Sequence, residues 1–433
     1  MSELAPELPL APGVEEYASI RYGADYAQDV KARMERNYGL LEAVVVPEEG
    51  MEAAALTVCI PVALMQEESS TIDRLLDTIH RSQEAFGRPV EVMLWTNTRV
   101  EEADSTGREA ATQRYAELKD SLQRFQGTSV HIKTALQLIP EKHKAISEIR
   151  SDYMEAAALD ALKNGRDADY PIMWMDADNT YISQNAFTEV ESKLRNHDAL
   201  LVHATEKYTT EWAAGQPMNE RDVATQAIMV YEINRRKNEK FYRGVGRRMQ
   251  YAEESGLAFT IGTYLKMGGV NDKDPVNEVT HLIAYANGLY NEGFVDRKKH
   301  MNELMDDRMD GYNPKVFLDL PEVKVGISAR QWYNAAQERG TEGILRPQQR
   351  TMAHGYRLHS DKNAPAERVS ATISRQDVHD MVRQSSNQHF LSVYNADNLL
   401  DEAKVQQVAK LVDTHFAVDP QPVTQAPVRS KGE

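Results

Sequence analysis

Residues 56–94 read LTVCIPVALMQEESSTIDRLLDTIHRSQEAFGRPVEVML. The opening LTVCIPVAL (56–64) is a short apolar run, the pattern of a strand buried on both faces. Ile72, Leu75, Leu76 and Ile79 then recur at helical spacing, and residues 90–94 return to an apolar strand run. Strand, helix and strand in that order predict a βαβ unit, in which a crossover helix joins two parallel strands.

The alternation continues outward from this unit. Tyr115, Leu118 and Leu122 mark a further helix, 130–138 a strand, 145–163 a helix, and PIMWM (171–175) another strand. Such a series predicts an α/β fold with a mostly parallel central sheet covered by helices on both faces. Ligands of these sheets bind beyond the carboxyl ends of the strands, so chemistry is expected just after Ile60, Leu94 and Met175. Upstream, the Pro-rich residues 1–13 precede a mixed-charge stretch through Tyr38 that predicts one or two helices. From about residue 200 the alternation weakens and longer polar loops such as GGVNDKDP (268–275) enter. Near the end Val405, Val408, Leu411 and Val412 form an apolar stripe that suits a packing helix.

Charge narrows the possible partners. The 433 residues carry 50 Lys plus Arg against 66 Asp plus Glu, a formal net charge of −16, which repels a nucleic-acid backbone. No nucleic-acid partner is expected, whereas a phosphorylated small molecule held by a few local groups is compatible. Cys59 is the one cysteine and lies in an apolar run, so it reads as a reduced core residue. No run approaches the roughly 18 apolar residues of a membrane span. The segment MSELAPELPLAPGVEE lacks a basic stretch followed by an apolar one, and a cytoplasmic location is the expectation.

The strongest local signal is PIMWMDADNT (171–180), an apolar strand running into Asp176, Ala177 and Asp178. Two carboxylates two residues apart at a strand end can hold a hard divalent cation and leave positions open for phosphate oxygens. A turn or helix cap built on Asp178 and Asn179 is the structural alternative. An EF-hand loop starting at Asp176 fails, because Tyr181 and Phe187 stand where Gly and an acid are needed. A phosphohydrolase of the haloacid dehalogenase type also shows Asp-x-Asp-x-Thr after an apolar strand, with Asp176 as nucleophile and Asp178 as acid and base. That chemistry needs a downstream strand ending in paired acids, and Asp306 and Asp307 do not follow one.

Four separated segments, taken in order, resemble family 2 glycosyltransferases of the GT-A type. They are LTVCIPVAL with the helix at Ile72, KAISEIRSDYMEAAALDALKNGRDADYPIMWMDADNTYIS (144–183), SGLAFTIGTYLKMGGVNDKDPVNEVTHLIAYA (255–286) and VKVGISARQW (323–332). The resemblance implies a GT-A nucleotide-diphospho-sugar transferase fold with N- and C-terminal helical extensions. Its divisions would be an N-terminal extension at 1–50, a nucleotide-sugar-binding half at 51–200, an acceptor-side half at 201–350, a helical segment at 351–418 and a disordered tail at 419–433. It also implies a nucleoside-diphosphate sugar as donor, a hydroxyl-bearing acceptor of unknown identity, and transfer with inversion. In that scheme Pro61, Ala63 and Asn97 line the nucleobase side and Asp176 and Ala177 adjoin the ribose. Asp178, with Asp176, ligates Mn²⁺ or Mg²⁺ on the diphosphate.

Arg150 occupies the helix position from which a guanidinium could grip phosphate, with a surface helix charge as the alternative. Glu278 is the candidate catalytic base, after a Gly-Gly turn and before an apolar helix, and Asp274 is the second candidate. Both could equally serve as helix-end or turn residues. His354, in TMAHGYRLHSD (351–361), is the candidate third metal ligand, and His281 reads as helix packing. The basic cluster at 235–248 reads as a solvated helix face or as a lip for an anionic partner.

Overall fold

The computed structural model describes residues 12–22, 27–48, 51–67, 69–101, 104–140, 146–209, 255–270, 278–300, 313–328 and 410. The chain divides into two compact units, and the described residues, Thr209 and Lys410 apart, belong to the first. Two helices, α1 (Pro12–Tyr22) and α2 (Ala27–Tyr38), precede β1 (Glu42–Val45). The series β2 (Thr57–Ala63), α3 (Ser69–Phe86), β3 (Val90–Arg99), α4 (Ser105–Leu122), β4 (Val130–Ile139), α5 (Ile146–Lys163) and β5 (Pro171–Trp174) follows. After it come β6 (Asn179–Ile182), α6 (Ala186–Arg195), β7 (Leu201–Thr209), β8 (Leu257–Thr260), α7 (Ile261–Met267), α8 (Glu278–Glu292) and β9 (Phe317–Ser328).

The nine strands among the described residues form one mixed sheet in the order β1-β4-β3-β2-β5-β8-β7-β9-β6. The quartet β4-β3-β2-β5 is parallel throughout and corresponds to the βαβ series legible in the sequence. Beyond β5 the alternation with helices ends, and β8 pairs with β5 antiparallel. One boundary differs from the sequence reading. β3 does not stop at Leu94 but continues to Arg99, because its pairing with β4 persists to Arg99 opposite Ile139. Asn97 therefore sits inside a strand and not in a loop.

Strand alternation sorts the core into two layers. Val58, Ile60, Val92, Leu94 and Met173 face the layer with α3, α4 and α6. Cys59, Met93, Trp95, Ile172 and Trp174 face the layer with α1, α2, α5, α7 and α8. Burial raises the Cys59 thiol well above its ordinary pKa, as befits an inert core residue. Helix α5 is covered on nearly every side, and Ala156, Ala157, Ala158 and Ala161 let its neighbours approach closely. Its buried Glu155 accepts hydrogen bonds from Tyr17 of α1 and from Arg33 of α2, and Arg21 lies 3.2 Å away. The N-terminal helices are thereby keyed into the core by an ion cluster.

A second cluster lies at the amino ends of the parallel strands. Lys133 stands 2.8 Å from Glu91 and also pairs with Asp160. Burial, and then the negative charge of Glu91, raises the Asp160 carboxyl above its ordinary pKa despite Lys133. A raised carboxyl pKa means the folded state holds its proton more tightly, so this group's contribution is largest in acid and is lost as pH rises. Replacing Asp160 by Asn should leave stability at pH 7 within about 1 kcal/mol of wild type, or raise it. The variant should also lack the wild-type gain on acidification above the ordinary Asp range, as read from urea midpoints across pH.

Candidate functional site

Asp176, Ala177 and Asp178 follow β5 directly, at the carboxyl end of the parallel quartet and at the boundary with the antiparallel half. The turn that carries them is built by Asn179, which is fully buried. Its Oδ1 accepts the Asp176 backbone N–H at 2.8 Å and the Ser255 hydroxyl at 2.6 Å. Its own N–H donates to the Asp176 carbonyl at 3.1 Å. Asn179, one of the two residues the structural alternative named, thus forms the turn, and the half-exposed Asp176 and Asp178 precede it.

The alternative of Arg150 as a surface charge is overturned, since the residue is 3 % exposed. Its guanidinium lies over the Trp174 ring, 4.6 Å from the centroid, and donates from Nη2 to Asp176 Oδ1 at 3.3 Å. A guanidinium stacked on an indole is held in orientation while its edge remains suited to planar oxyanions.

Pro61 and Ala63 stand opposite Trp95 and Asn97 in the β2–β3 register, and Asn97 stands opposite Gln137 of β4. By alternation from Cys59, Trp95 and Trp174, these residues share the face covered by α5, which carries Arg150. Pro61 also marks a gap. The Cys59 carbonyl accepts the Met175 N–H, so odd positions of β2 direct their backbone groups toward β5. Pairing with β5 ends at Cys59, and at Pro61 no N–H is required. The sheet opens between β2 and β5 beside Asp176. Asn97 donates from Nδ2 to the Val62 carbonyl at 3.1 Å.

Farther along the chain, Gly268 and Gly269 both adopt positive φ, 74° and 72°, and Gly268 ends α7. A Cβ on Gly269 would lie 2.9 Å from the Tyr17 and Tyr264 hydroxyl oxygens, so both sterics and backbone demand Gly there. Arg297 fastens this turn, donating to the Gly268 carbonyl at 2.8 Å. Glu278 is the first residue of α8, although its side chain lies outside the described residues. Asp274, His354, the basic cluster at 235–248 and the stripe residues Val405, Val408, Leu411 and Val412 lie outside them altogether. His281 is 3 % exposed and packs against Tyr285, as expected. Trp174, Ser255 and Gln137 were not nominated from sequence. Trp174 alone left a signal, an aromatic two residues before the Asp-x-Asp on the same strand face.

Among the described residues no three His, Cys, Asp or Glu side chains converge as a metal cage. Two carboxylates such as Asp176 and Asp178 would suit a divalent cation that takes its other ligands from phosphate oxygens and water. No described helix is long and apolar enough to cross a membrane.

No protein-family model and no curated protein matches the chain. Among solved structures, a mannosyltransferase from Pyrobaculum calidifontis in complex with GDP-Man and Mn²⁺ is 13 % identical, with a TM-score of 0.33 over 93 % of this chain and 99 % of that one. GalNAc-T7 with UDP, GalNAc and Mn²⁺ is 11 % identical, with a TM-score of 0.29 over 95 % of this chain and 68 % of that one. Likeness of this degree carries no argument about fold or chemistry. The chain is a mixed α/β protein in which Asp176, Asp178 and the buried Arg150 lie at the carboxyl end of a parallel quartet, beside the gap at Pro61.

Proposed function

We propose that the protein is a metal-dependent glycosyltransferase that moves a sugar from a nucleoside diphosphate to a hydroxyl-bearing acceptor, with inversion. The observation that carries this reading is the Arg150–Asp176 contact at the exit of β5, beside the gap that Pro61 marks. Asp176 and Asp178 would hold Mn²⁺ or Mg²⁺, and the bound cation would offset the negative charge that develops on the departing diphosphate. Arg150 adds a fixed positive group on the same side, in a protein whose net charge is otherwise strongly negative. Pro61, Ala63 and Asn97 line the nucleobase end and Asp176 sits near the ribose, with Ala177 next to it in the chain. Glu278, or Asp274, takes the acceptor's proton. This assignment makes 51–200 the donor half and 201–350 the acceptor half.

The phosphohydrolase reading needs a downstream strand that ends in paired acids, and in the sequence Asp306 and Asp307 do not follow an apolar strand run.

Incubation with a panel of nucleoside-diphosphate sugars and Mn²⁺ tests the proposal. Release of nucleoside diphosphate is expected. Orthophosphate from a phosphomonoester would instead mark a phosphohydrolase, and tight donor binding without turnover a binding protein. The metal is tested separately by Asp178→Asn, which keeps size but removes an anionic ligand. Mn²⁺-dependent affinity for nucleoside diphosphate should fall by about tenfold or more, equivalent to about 1.4 kcal/mol. Calorimetry giving the same affinity with Mn²⁺ and with EDTA would remove the metal from the mechanism.

A further inference from the structure

We infer that Asp152 is a positioning residue that sets the distance between the two ends of the donor site, an inference that rests on the proposed glycosyltransferase reading. Asp152 is 4 % exposed and lies on α5, two residues after Arg150. Two residues are about 200° of helical turn, so the two side chains leave opposite flanks of α5. One flank is tied to β5, where Arg150 stacks on Trp174 and reaches Asp176. The other is tied to β4 and α2. Asp152 Oδ2 accepts from Gln137 Nε2 at 2.7 Å, and Oδ1 accepts from Asn37 Nδ2 at 3.1 Å.

The chain of hydrogen bonds runs on into β3. Gln137 Oε1 accepts from Trp95 Nε1 at 2.9 Å, and Trp95 is two residues before Asn97 on the same strand face. Trp95 is fully buried, Asn37 is 7 % exposed and Gln137 9 % exposed. Every bond in the series has a fixed polarity. The indole can only donate, so the Gln137 amide must offer it the oxygen, and its NH₂ must then face an acceptor at 152. A carboxylate meets that demand and also serves Asn37.

Burying a carboxylate is not an economical way to attach a helix to a sheet, because apolar side chains of similar volume would hold at least as well. What directed hydrogen bonds add over apolar contacts is a defined distance and orientation. Here that distance separates Arg150 with Asp176, at the diphosphate end, from Asn97 with Ala63, at the nucleobase end. A donor that engages both ends gains from both only when their spacing is fixed beforehand.

The test uses the full chain with two probes, Mn²⁺-nucleoside diphosphate (both GDP and UDP), which spans the site, and Mn²⁺-pyrophosphate, which occupies one end. In Asp152→Ala no side chain at 152 accepts from Gln137 or Asn37, and the tie to β4 is lost. Arg150 stays on Trp174, so pyrophosphate affinity should remain within about twofold while nucleoside diphosphate affinity falls about tenfold or more. Equal loss of both affinities, or loss of neither, would overturn the inference, since a merely structural role does not change their ratio. The double variant Asp152→Asn with Gln137→Glu moves the negative charge one link along. The carboxylate introduced at 137 accepts from Trp95 and from the amide introduced at 152, whose oxygen accepts from Asn37. This variant should recover the wild-type ratio, and it carries the test if the single variant does not fold. A folded double variant that still binds nucleoside diphosphate about tenfold more weakly sinks the inference. Wild-type protein that binds neither probe sinks the glycosyltransferase reading itself, and the role of Asp152 falls with it.

Discussion

Transfer by Glu278→Gln should be slower than wild type by roughly two to four orders of magnitude, with donor affinity almost unchanged. The acceptor hydroxyl must lose its proton as it attacks the sugar, and a carboxylate that accepts it acts mainly in the transition state. Glutamine keeps the size and the helix start but cannot take up a proton. Glu278 is the first residue of α8, reached through the Gly268–Gly269 turn that Arg297 fastens, so the backbone that delivers it is anchored at its near end. If Glu278 serves only the positive end of the helix, the same change should cost well under about 1 kcal/mol of stability and leave turnover intact. Single-turnover transfer, with donor affinity measured on the same variant, separates the two. Normal turnover would transfer the role to Asp274.

The parallel quartet was legible because β2, β5 and the first half of β3 are buried on both faces and read as apolar runs, with helical periodicity between runs. Helix α5 was expected from 145 and begins at Ile146, and β2 spans all but the end residues of LTVCIPVAL. The end of β3 was not legible. Trp95, Thr96, Asn97 and Thr98 look like a polar loop in sequence, yet pairing with β4 keeps them in the sheet, and their polar groups find partners there. Thr96 donates to the Ala135 carbonyl, and Trp95 donates to Gln137. Local polarity cannot reveal a partner forty residues downstream.

The candidate site divides in the same way. Asp176 and Asp178 declare themselves through their place at a strand exit. Arg150 does not, because its sequence neighbours Ser151, Asp152 and Glu155 suggest a solvated helix face, whereas all of them are buried. The reason lies far away in the chain. Tyr17, Arg21, Arg33 and Asn37 on α1 and α2 cover that face and answer its charges, so the polarity of α5 becomes intelligible only with the N-terminal helices in place. A charge pattern alone cannot distinguish a face turned to water from one turned to a matching set of charges.

That dependence sets the size of the last expected effect. Replacing Glu155 by Ala should destabilise the fold by about 3–5 kcal/mol, a large part of the roughly 5–15 kcal/mol that holds an ordinary domain together. Arg21 and Glu155 have side chains 1 % and 0 % exposed, so loss of the carboxylate removes a buried partner 3.2 Å from the guanidinium. Tyr17 and Arg33 lose their acceptor as well. The loss should register as a lower urea midpoint, with α1 and α2 becoming the first segment cut by protease. A cost under about 1 kcal/mol would mean that this cluster does not hold the N-terminal helices. The companion variant, Glu155→Met with Arg21→Met and Arg33→Met, should recover most of the stability, because apolar replacement of a whole buried ion cluster is often neutral or favourable. If it does, Glu155 selects how α1 and α2 seat on α5 more than it strengthens their attachment. Arg150, five residues earlier on the same helix, would then take its orientation in part from the first forty residues of the chain.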